Sequence, residues 1–463
     1  MVNLKTRTEE TFVSVTRDLA DFVVETSYDN LPREVIEHAK VCILDWLGAA
    51  IAGSLETPAK IITSIIQKIG GKEQSTIIGT QVKTSCVNAA LANGILGHIV
   101  ELDDIHEESI IHPAAPVLPA ALALAEYTNV SGQDFITSIV LGYDVEIRIG
   151  MAINPSHYHF WHPTGTCGTF GAAAAAGKIL GLNTEEMVHA LGIAGTQAAG
   201  LIEVFGTMSK PLNPGRAAAN GVWAALLAEK GFTSSRNILE AEKGYCKAVA
   251  KEHDFNKITG NLGKKFEIMN NIFKIHASCG HTHGAIDAVL LLRDKYDIEP
   301  SDINKIVVGT YPIAVDVVGK NYETKTPSEA KFSLPYCLAA ALIYGKVGLN
   351  EFSEEKLIDP EIQKLSKKVT VMVDPEYINA RLGCAKVTLY TSNGEFTCRV
   401  DAPKGHPNNP VARTELERKF VDLACLVFSE DRVRKIVEAV NNLENLDRVT
   451  LLTDLLRDDW LFK

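Results

Sequence analysis

From Glu9 to about Leu262 apolar residues recur at three- and four-residue intervals with few breaks, a pattern that predicts a succession of packed helices. Pro32 near a first turn and Gly53 after the last periodic residue bracket one helix, whose apolar stripe runs over 35–51. The pattern repeats over 61–69 and stops at Gly70-Gly71. Further helices are expected over 131–149, 169–182, 184–201 and 216–230. Near Phe266 the period changes. Residues 305–310, 369–373, 386–391 and 395–401 alternate or are β-branched, as strands do, and Ser392-Asn393-Gly394 joins the last two as a hairpin. Helical stretches at 283–296 and 333–344 lie between these strands, and helical periodicity returns from Arg413 after Pro403, Pro407 and Pro410. The expected architecture is mainly α with an inserted α+β domain: a helical domain over 1–265, an α+β domain over 266–403, and the rest of the helical domain over 404–463.

One polar stretch interrupts the first domain. ELDDIHEESIIHPAAPVLP, from Glu101 to Pro119, sets Glu101, Asp103, Asp104, His106 and His112 among prolines, between Ala/Leu-rich helical segments at 89–99 and 120–126. It reads as a loop held between two packed helices, where chemistry is often placed. Asp and His beside Pro also serve as plain turn and cap residues. Three further clusters strengthen the functional reading. HYHFWHPTGTCG carries His157, His159 and His162, a spacing that resembles a metal site; no clear fourth ligand accompanies it, and Pro163 opens a Gly/Thr-rich helix start suited to anions. TMSKPLNPGR sets Lys210 in a Pro-bounded loop, with Arg216 beginning the next helix. FKIHASCGHTHGAID carries Lys274, His276, Cys279, His281 and His283 where the second domain begins. Gly165, Gly168 and Gly171 form no phosphate loop, since no Gly-Lys-Ser/Thr follows; tight helix packing accounts for them.

Composition narrows the classes. The chain has 463 residues, 46% hydrophobic and 22% charged, as in a soluble globular protein of two domains. A net charge of -11 and the lack of any Lys/Arg-rich run argue against nucleic acid as a partner. No apolar run reaches membrane-spanning length. Nine cysteines without a CxxC pair, behind a polar start MVNLKTRTEETF, point to reduced thiols in the cytosol and away from a cysteine-ligated metal. The lysines and histidines of the four clusters suit a small polycarboxylate. Cations hold its carboxylate arms by charge-assisted hydrogen bonds, while a neutral imidazole takes a proton and its conjugate acid returns one. With no cofactor motif and no metal expected, this is lyase or isomerase chemistry.

The runs HPAAPVLPAALALAE, FWHPTGTCGTFGAAAAAGKILGL, SKPLNPGRAAANGVWAALLAEKGF and PSEAKFSLPYCLAAALIYG resemble the MmgE/PrpD family, in the same order and over nearly the whole chain. That family includes 2-methylcitrate dehydratase, cis-aconitate decarboxylase and iminodisuccinate epimerase. The resemblance implies a homodimer, each subunit a large helical domain with a smaller α+β lid. It implies that His112 and His162 are active-site histidines, and that Lys210 and Lys274 are active-site lysines. Cys279 falls where the decarboxylase branch has histidine and dehydratase-like branches have cysteine, and Tyr322 falls near a tyrosine of the decarboxylase branch. The family's DFDDT reads here as Glu101-Leu102-Asp103-Asp104-Ile105, which lengthens the first carboxylate and removes a hydroxyl.

The expectation is therefore a cytoplasmic, cofactor-independent lyase of a di- or tricarboxylate, foremost a 2-methylcitrate dehydratase type of hydro-lyase. His112 and His162 are expected as the acid–base pair, Lys210, Lys274 and Arg216 as carboxylate ligands, and Asp103 or Asp104 as orienting groups, with Glu101, Cys279 and Tyr322 lining the substrate. The alternatives are an epimerase or a decarboxylase, a catalytically inactive binding scaffold, and a metal hydrolase built on His157, His159 and His162.

Overall fold

The computed structural model describes residues 14–380 and 383–457. The helices that carry the site are α1 (Arg33–Gly53), α2 (Cys86–Ile99), α3 (Ala114–Thr128), α4 (Gly132–Ile153), α5 (Pro163–Ile179) and α6 (Ser209–Glu229). They start where local chemistry satisfies the free N–H groups of a first turn. Ser85 and Ser131 accept from the backbone N–H of Asn88 and Asp134, and Pro163 opens α5, where its missing donor costs nothing.

Helices α2, α3, α5 and α6 pack closely because small residues line their contacts. A Cβ on Gly94 of α2 would lie 2.7 Å from Gly215 Cα of α6, and one on Gly215 would lie 2.6 Å from the Leu91 carbonyl oxygen. This crossing sets the distance between the loop after α2 and the first turn of α6. Gly168 and Gly171 of α5 likewise accommodate Pro116 and Glu146.

The hydrophobic interior falls into two clusters. The larger runs from Val15 to Phe273 and resumes from Leu416 to Leu456, so one helical body is built from both parts of the chain. The smaller is centred on residues 277–400 and also takes in Ala49, Ala52, Ile99, Val100, Leu102 and Leu423 of the helical body. It contains α7 (His283–Tyr296), α8 (Leu334–Tyr344) and a sheet of β1 (Ile303–Thr310), β2 (Val369–Val373), β3 (Ala385–Thr391) and β4 (Gly394–Val400) in the order β2-β1-β3-β4. β1 and β2 are parallel and the other pairs antiparallel, with the β3–β4 hairpin turning at Ser392 and Asn393. Mainly α with a small α+β part is thus the observed class. α7 and β2 occupy the residues expected from periodicity.

Three helices begin earlier than the polar and Pro-rich sequence suggests. α3 starts at Ala114 and includes Pro116 and Pro119, α5 starts at Pro163 rather than Thr169, and α6 starts at Ser209 rather than Arg216. The first turn of a helix has no intrahelical N–H bonds to lose, so Pro116 and Pro211 are tolerated there. Among the described residues no helix is long and apolar enough to cross a membrane.

The Gly94–Gly215 contact predicts that Gly215→Ala lowers stability by about 1–3 kcal/mol, because the added methyl meets backbone. A urea midpoint equal to that of the parent protein would show that the helices can part without loss.

Candidate active site

The segment 100–113 between α2 and α3 is pinned from several sides. Ile105 and His106 pair antiparallel with Ile272 and Asn271. Asp104 accepts from the Ala114 N–H (3.0 Å), the Tyr143 hydroxyl (3.0 Å) and the Asn271 amide (2.7 Å), so it joins the start of α3 to α4 and to the later segment. Burial pushes its carboxyl up to about 8. Asp104 thus braces the loop from behind. Two non-glycine residues of the segment adopt left-handed backbone, Glu101 with φ 58° and Ile110 with φ 54°. For a β-branched residue such as Ile110 that conformation costs on the order of 1–3 kcal/mol, and both residues line the cavity described next.

Glu101 directs its carboxylate at two buried ammonium groups. Oε1 pairs with Lys210 Nζ from the first turn of α6, and Oε2 accepts from Lys274 Nζ at 3.1 Å, from the irregular segment crossing into the smaller unit. All three side chains are buried. Burial alone would push the Glu101 carboxyl up, but Lys210 and Lys274 outweigh it and hold the group well below the usual carboxylate range. Lys210 Nζ also lies 5.5 and 5.1 Å from the ring centres of Phe205 and Phe332, within cation–π range. A third buried lysine, Lys331, reaches the Ile99 carbonyl oxygen at 3.5 Å, and burial lowers its pKa.

Opposite these cations stand imidazoles. Asp103 Oδ2 accepts from His98 Nδ1 at 2.6 Å, and His112 Nδ1 lies 3.3 Å from the same oxygen without the alignment of a hydrogen bond. The His98 and His112 ring centres are 4.7 Å apart, and those of His98 and His162 5.7 Å. Burial would raise Asp103, yet the two imidazoles hold it well below its ordinary value. Burial lowers His112 to about 4 against the opposing pull of Asp103, and it lowers His162 well below the ordinary value with the help of Lys210. Both rings are therefore neutral at neutral pH. The Asn213 amide donates to His162 Nδ1 at 3.1 Å, which leaves the proton of that ring on Nε2. His281 Nδ1 pairs with the Tyr311 hydroxyl at 2.7 Å, and burial lowers it to about 3.

These groups share one cavity. Glu101, Ile105, Ile110, His112, Tyr158, His162, Phe205 and Lys210 line it from the helical body, and Cys279, Gly280, His281 and Phe332 from the smaller unit. It leaves about 30 Å³ for the centres of water-sized spheres, room for a water or two and not for a polycarboxylate, so a substrate enters only when the two walls part. Burial pushes the Cys279 thiol up to about 11, which makes it a neutral wall group.

Of the residues expected from sequence, Glu101, His112, His162, Lys210 and Cys279 face this cavity, and Asp103 and Lys274 contact those that do. Arg216 does not. It lies six residues beyond Lys210 on one continuous helix, which turns it to another face, where it is exposed. Tyr322 is 41% exposed and borders a separate surface hollow with Glu323, Lys325 and Tyr336. His157 is engaged by Thr166 Oγ1 (2.8 Å) and the Val249 carbonyl (3.1 Å), and His159 opens onto a different pocket, so these two do not converge with His162. Sequence reading missed His98, which sits at the end of α2 in an otherwise apolar run, as well as Tyr158, Phe205, Phe332 and Lys331. Glycine on one side of His98 and a polar loop three residues on were the only signals. Among the described residues the ligand-type atoms of His98, Asp103 and His112 come within 4.8 Å of one another. His98 Nδ1 and Asp103 Oδ2 are engaged with each other, however, which marks a hydrogen-bonded relay rather than an open ligand set.

Comparison with known proteins agrees with this architecture. Residues 17–258 match the MmgE/PrpD N-terminal domain and residues 276–445 the MmgE/PrpD C-terminal domain, so the chain belongs to the MmgE/PrpD family. It is 29% identical to cis-aconitate decarboxylase of Aspergillus terreus, over 96% of each chain. It is 29% identical to the Homo sapiens cis-aconitate decarboxylase, over 96% of this chain and 95% of the relative. The mitochondrial 2-methylcitrate dehydratase of Yarrowia lipolytica is 24% identical, over 94% of this chain and 88% of the relative. These relatives are lyases, and the chain is an enzyme of that type.

Removal of Glu101 leaves two buried ammonium groups without their carboxylate. Glu101→Ala is expected to lose about 3–5 kcal/mol in chemical denaturation at pH 7. A loss below about 1 kcal/mol, the size of an exposed pair, would mean that the cations have other partners.

Proposed function

We propose that the protein is a cofactor-independent hydro-lyase of a small hydroxy-polycarboxylate of the 2-methylcitrate type. The observation that carries this reading is the meeting, at one narrow cavity, of Lys210 with the neutral imidazole of His112, backed by Lys274 behind Glu101 and by the ionised Asp103 behind His112. The lysines hold carboxylate arms. His112 Nε2 takes the proton from the carbon next to a carboxylate, and Asp103 stabilises the resulting imidazolium. His162 presents Nε2–H to the departing hydroxyl, and the Lys210 ammonium beside it supplies the proton with which that group leaves as water. The apolar wall of Ile105, Ile110, Phe205 and Phe332 excludes water and accommodates an alkyl substituent.

A second reading, loss of carbon dioxide from cis-aconitate, is favoured by the 29% identity to decarboxylases along almost the whole chain. Proton NMR in heavy water with 2-methylcitrate, citrate and cis-aconitate separates the two. Dehydration of 2-methylcitrate is expected. Conversion of cis-aconitate alone would transfer the proposal to the second reading, and three unchanged substrates would remove both.

Because the base must be unprotonated, kcat/KM should hold through neutral pH and fall about tenfold per unit as pH drops through about 4. His112→Asn should lower kcat by about 10²–10⁴-fold. A variant with parental kcat would show that another group takes the proton.

A further inference from the structure

Asp103 is a buried carboxylate with two imidazoles beside a single oxygen. His98 holds the aligned position at 2.6 Å, while His112 waits at 3.3 Å, out of line. Among the described residues Asp103 Oδ1, His98 Nε2 and His112 Nδ1 are all buried without a hydrogen-bond partner, so no other donor there satisfies the carboxylate. His98 is fully buried and does not line the cavity. Among the described residues the one hydrogen bond of its ring is to the carboxylate next to the base.

We propose that His98 is a positioning residue that competes with His112 for Asp103, keeping the carboxylate occupied until a proton reaches His112. When Nε2 of His112 takes the substrate proton, the ring carries N–H on both nitrogens. Nδ1–H, until then a neutral donor, becomes a charge-assisted one, and Asp103 shifts its alignment to His112. Each ring keeps its own Nδ1 proton, and none passes to Asp103. Before the reaction the competition leaves His112 a weakly supported, neutral base; afterwards the carboxylate stabilises the imidazolium, so the interaction grows as charge develops. The other charged or titratable groups around the pair include His162, His281, Lys210, Lys274 and Glu101 on the cavity side, and Asp45 and Asp104 behind Asp103, with Asp45 held by Lys419 at 2.7 Å.

The sign of the effect follows. With His98 replaced by a ring that cannot donate, Asp103 aligns with His112 permanently; its charge already lies 3.3 Å from that ring, and the added charge-assisted hydrogen bond raises the imidazole by about 1–2 units. His98→Phe keeps an aromatic ring but no donor, and His98→Asn restores an N–H donor for Asp103. The acid limb of kcat/KM should move up by about 1–2 pH units in His98→Phe and return to the parental position in His98→Asn. This kinetic arm rests on the lyase reading above. A second arm does not: titration of ¹⁵N-labelled histidine by NMR, with His112→Gln identifying the signal, should show His112 titrating near 4 in the parent and higher by the same interval in His98→Phe. If His98→Phe fails to fold, His98→Ala is read in its place. An unchanged His112 titration in the donor-free variant, or an equal shift in His98→Asn, would overturn the proposal. A shift seen by NMR in a protein without lyase activity would uphold it and count against the proposed reaction instead.

Discussion

A buried ammonium group stays charged only beside a carboxylate, and here two of them, Lys210 and Lys274, meet on Glu101. The rest of the cavity follows from that arrangement. Lys210 comes from the first turn of α6 and Lys274 from the irregular segment that crosses into the smaller unit, so the loop bearing Glu101 is tied to both parts of the molecule. Burial, with Lys210, depresses His162; burial, with both lysines among its neighbours, depresses His281; and burial depresses His112 in spite of Asp103. The result is a dry pocket in which lysines supply positive charge and imidazoles remain neutral, the division of labour needed to grip carboxylates and accept a proton near neutral pH.

Packing carries that chemistry. The Gly94–Gly215 contact lets α2 and α6 approach until the residue after one helix reaches the first turn of the other. Asp104, buried behind the loop, fastens three chain segments with three hydrogen bonds and keeps Asp103 facing the imidazoles. The small unit closes the cavity from the far side, and the two chain crossings are tied together: Phe273 N–H donates to the Gly405 carbonyl at 3.1 Å, while Asp287 accepts from both His276 (2.8 Å) and the Lys404 N–H (2.7 Å). With room for a water or two inside, entry of a substrate requires movement about this paired joint.

Much of this was legible in the sequence, and the exceptions have physical reasons. Period-two stretches located all four strands of the sheet, and Asn393-Gly394 marked the hairpin, because strand alternation and turn chemistry are local properties. Helix starts were read too late wherever proline or glycine occupied a first turn, where a missing N–H costs no intrahelical bond, and the helices then continue even through Pro119 and Pro214. That error moved Arg216 to a helix start and so toward the site, when six residues of continuous helix place it on another face. Lys210, His112 and His162 stood out because each sits in a polar or Pro-bounded stretch. His98 did not, because a single histidine ending an apolar helix looks like core, and only the fold brings Asp103 to its ring. Lys331 and Phe332, more than two hundred residues from Glu101, were likewise invisible to any local pattern.

The central claim is that one cavity grips carboxylates with Lys210 and Lys274 while it offers His112 to a carbon. A crystal structure with tricarballylate, which carries three carboxylates but no hydroxyl to lose, tests this most directly. The account predicts carboxylate oxygens within hydrogen-bond reach of both ammonium groups and a carbon about 3–3.5 Å from His112 Nε2. A ligand seated outside this cavity, or inside it with His112 turned away from every carbon, would contradict it.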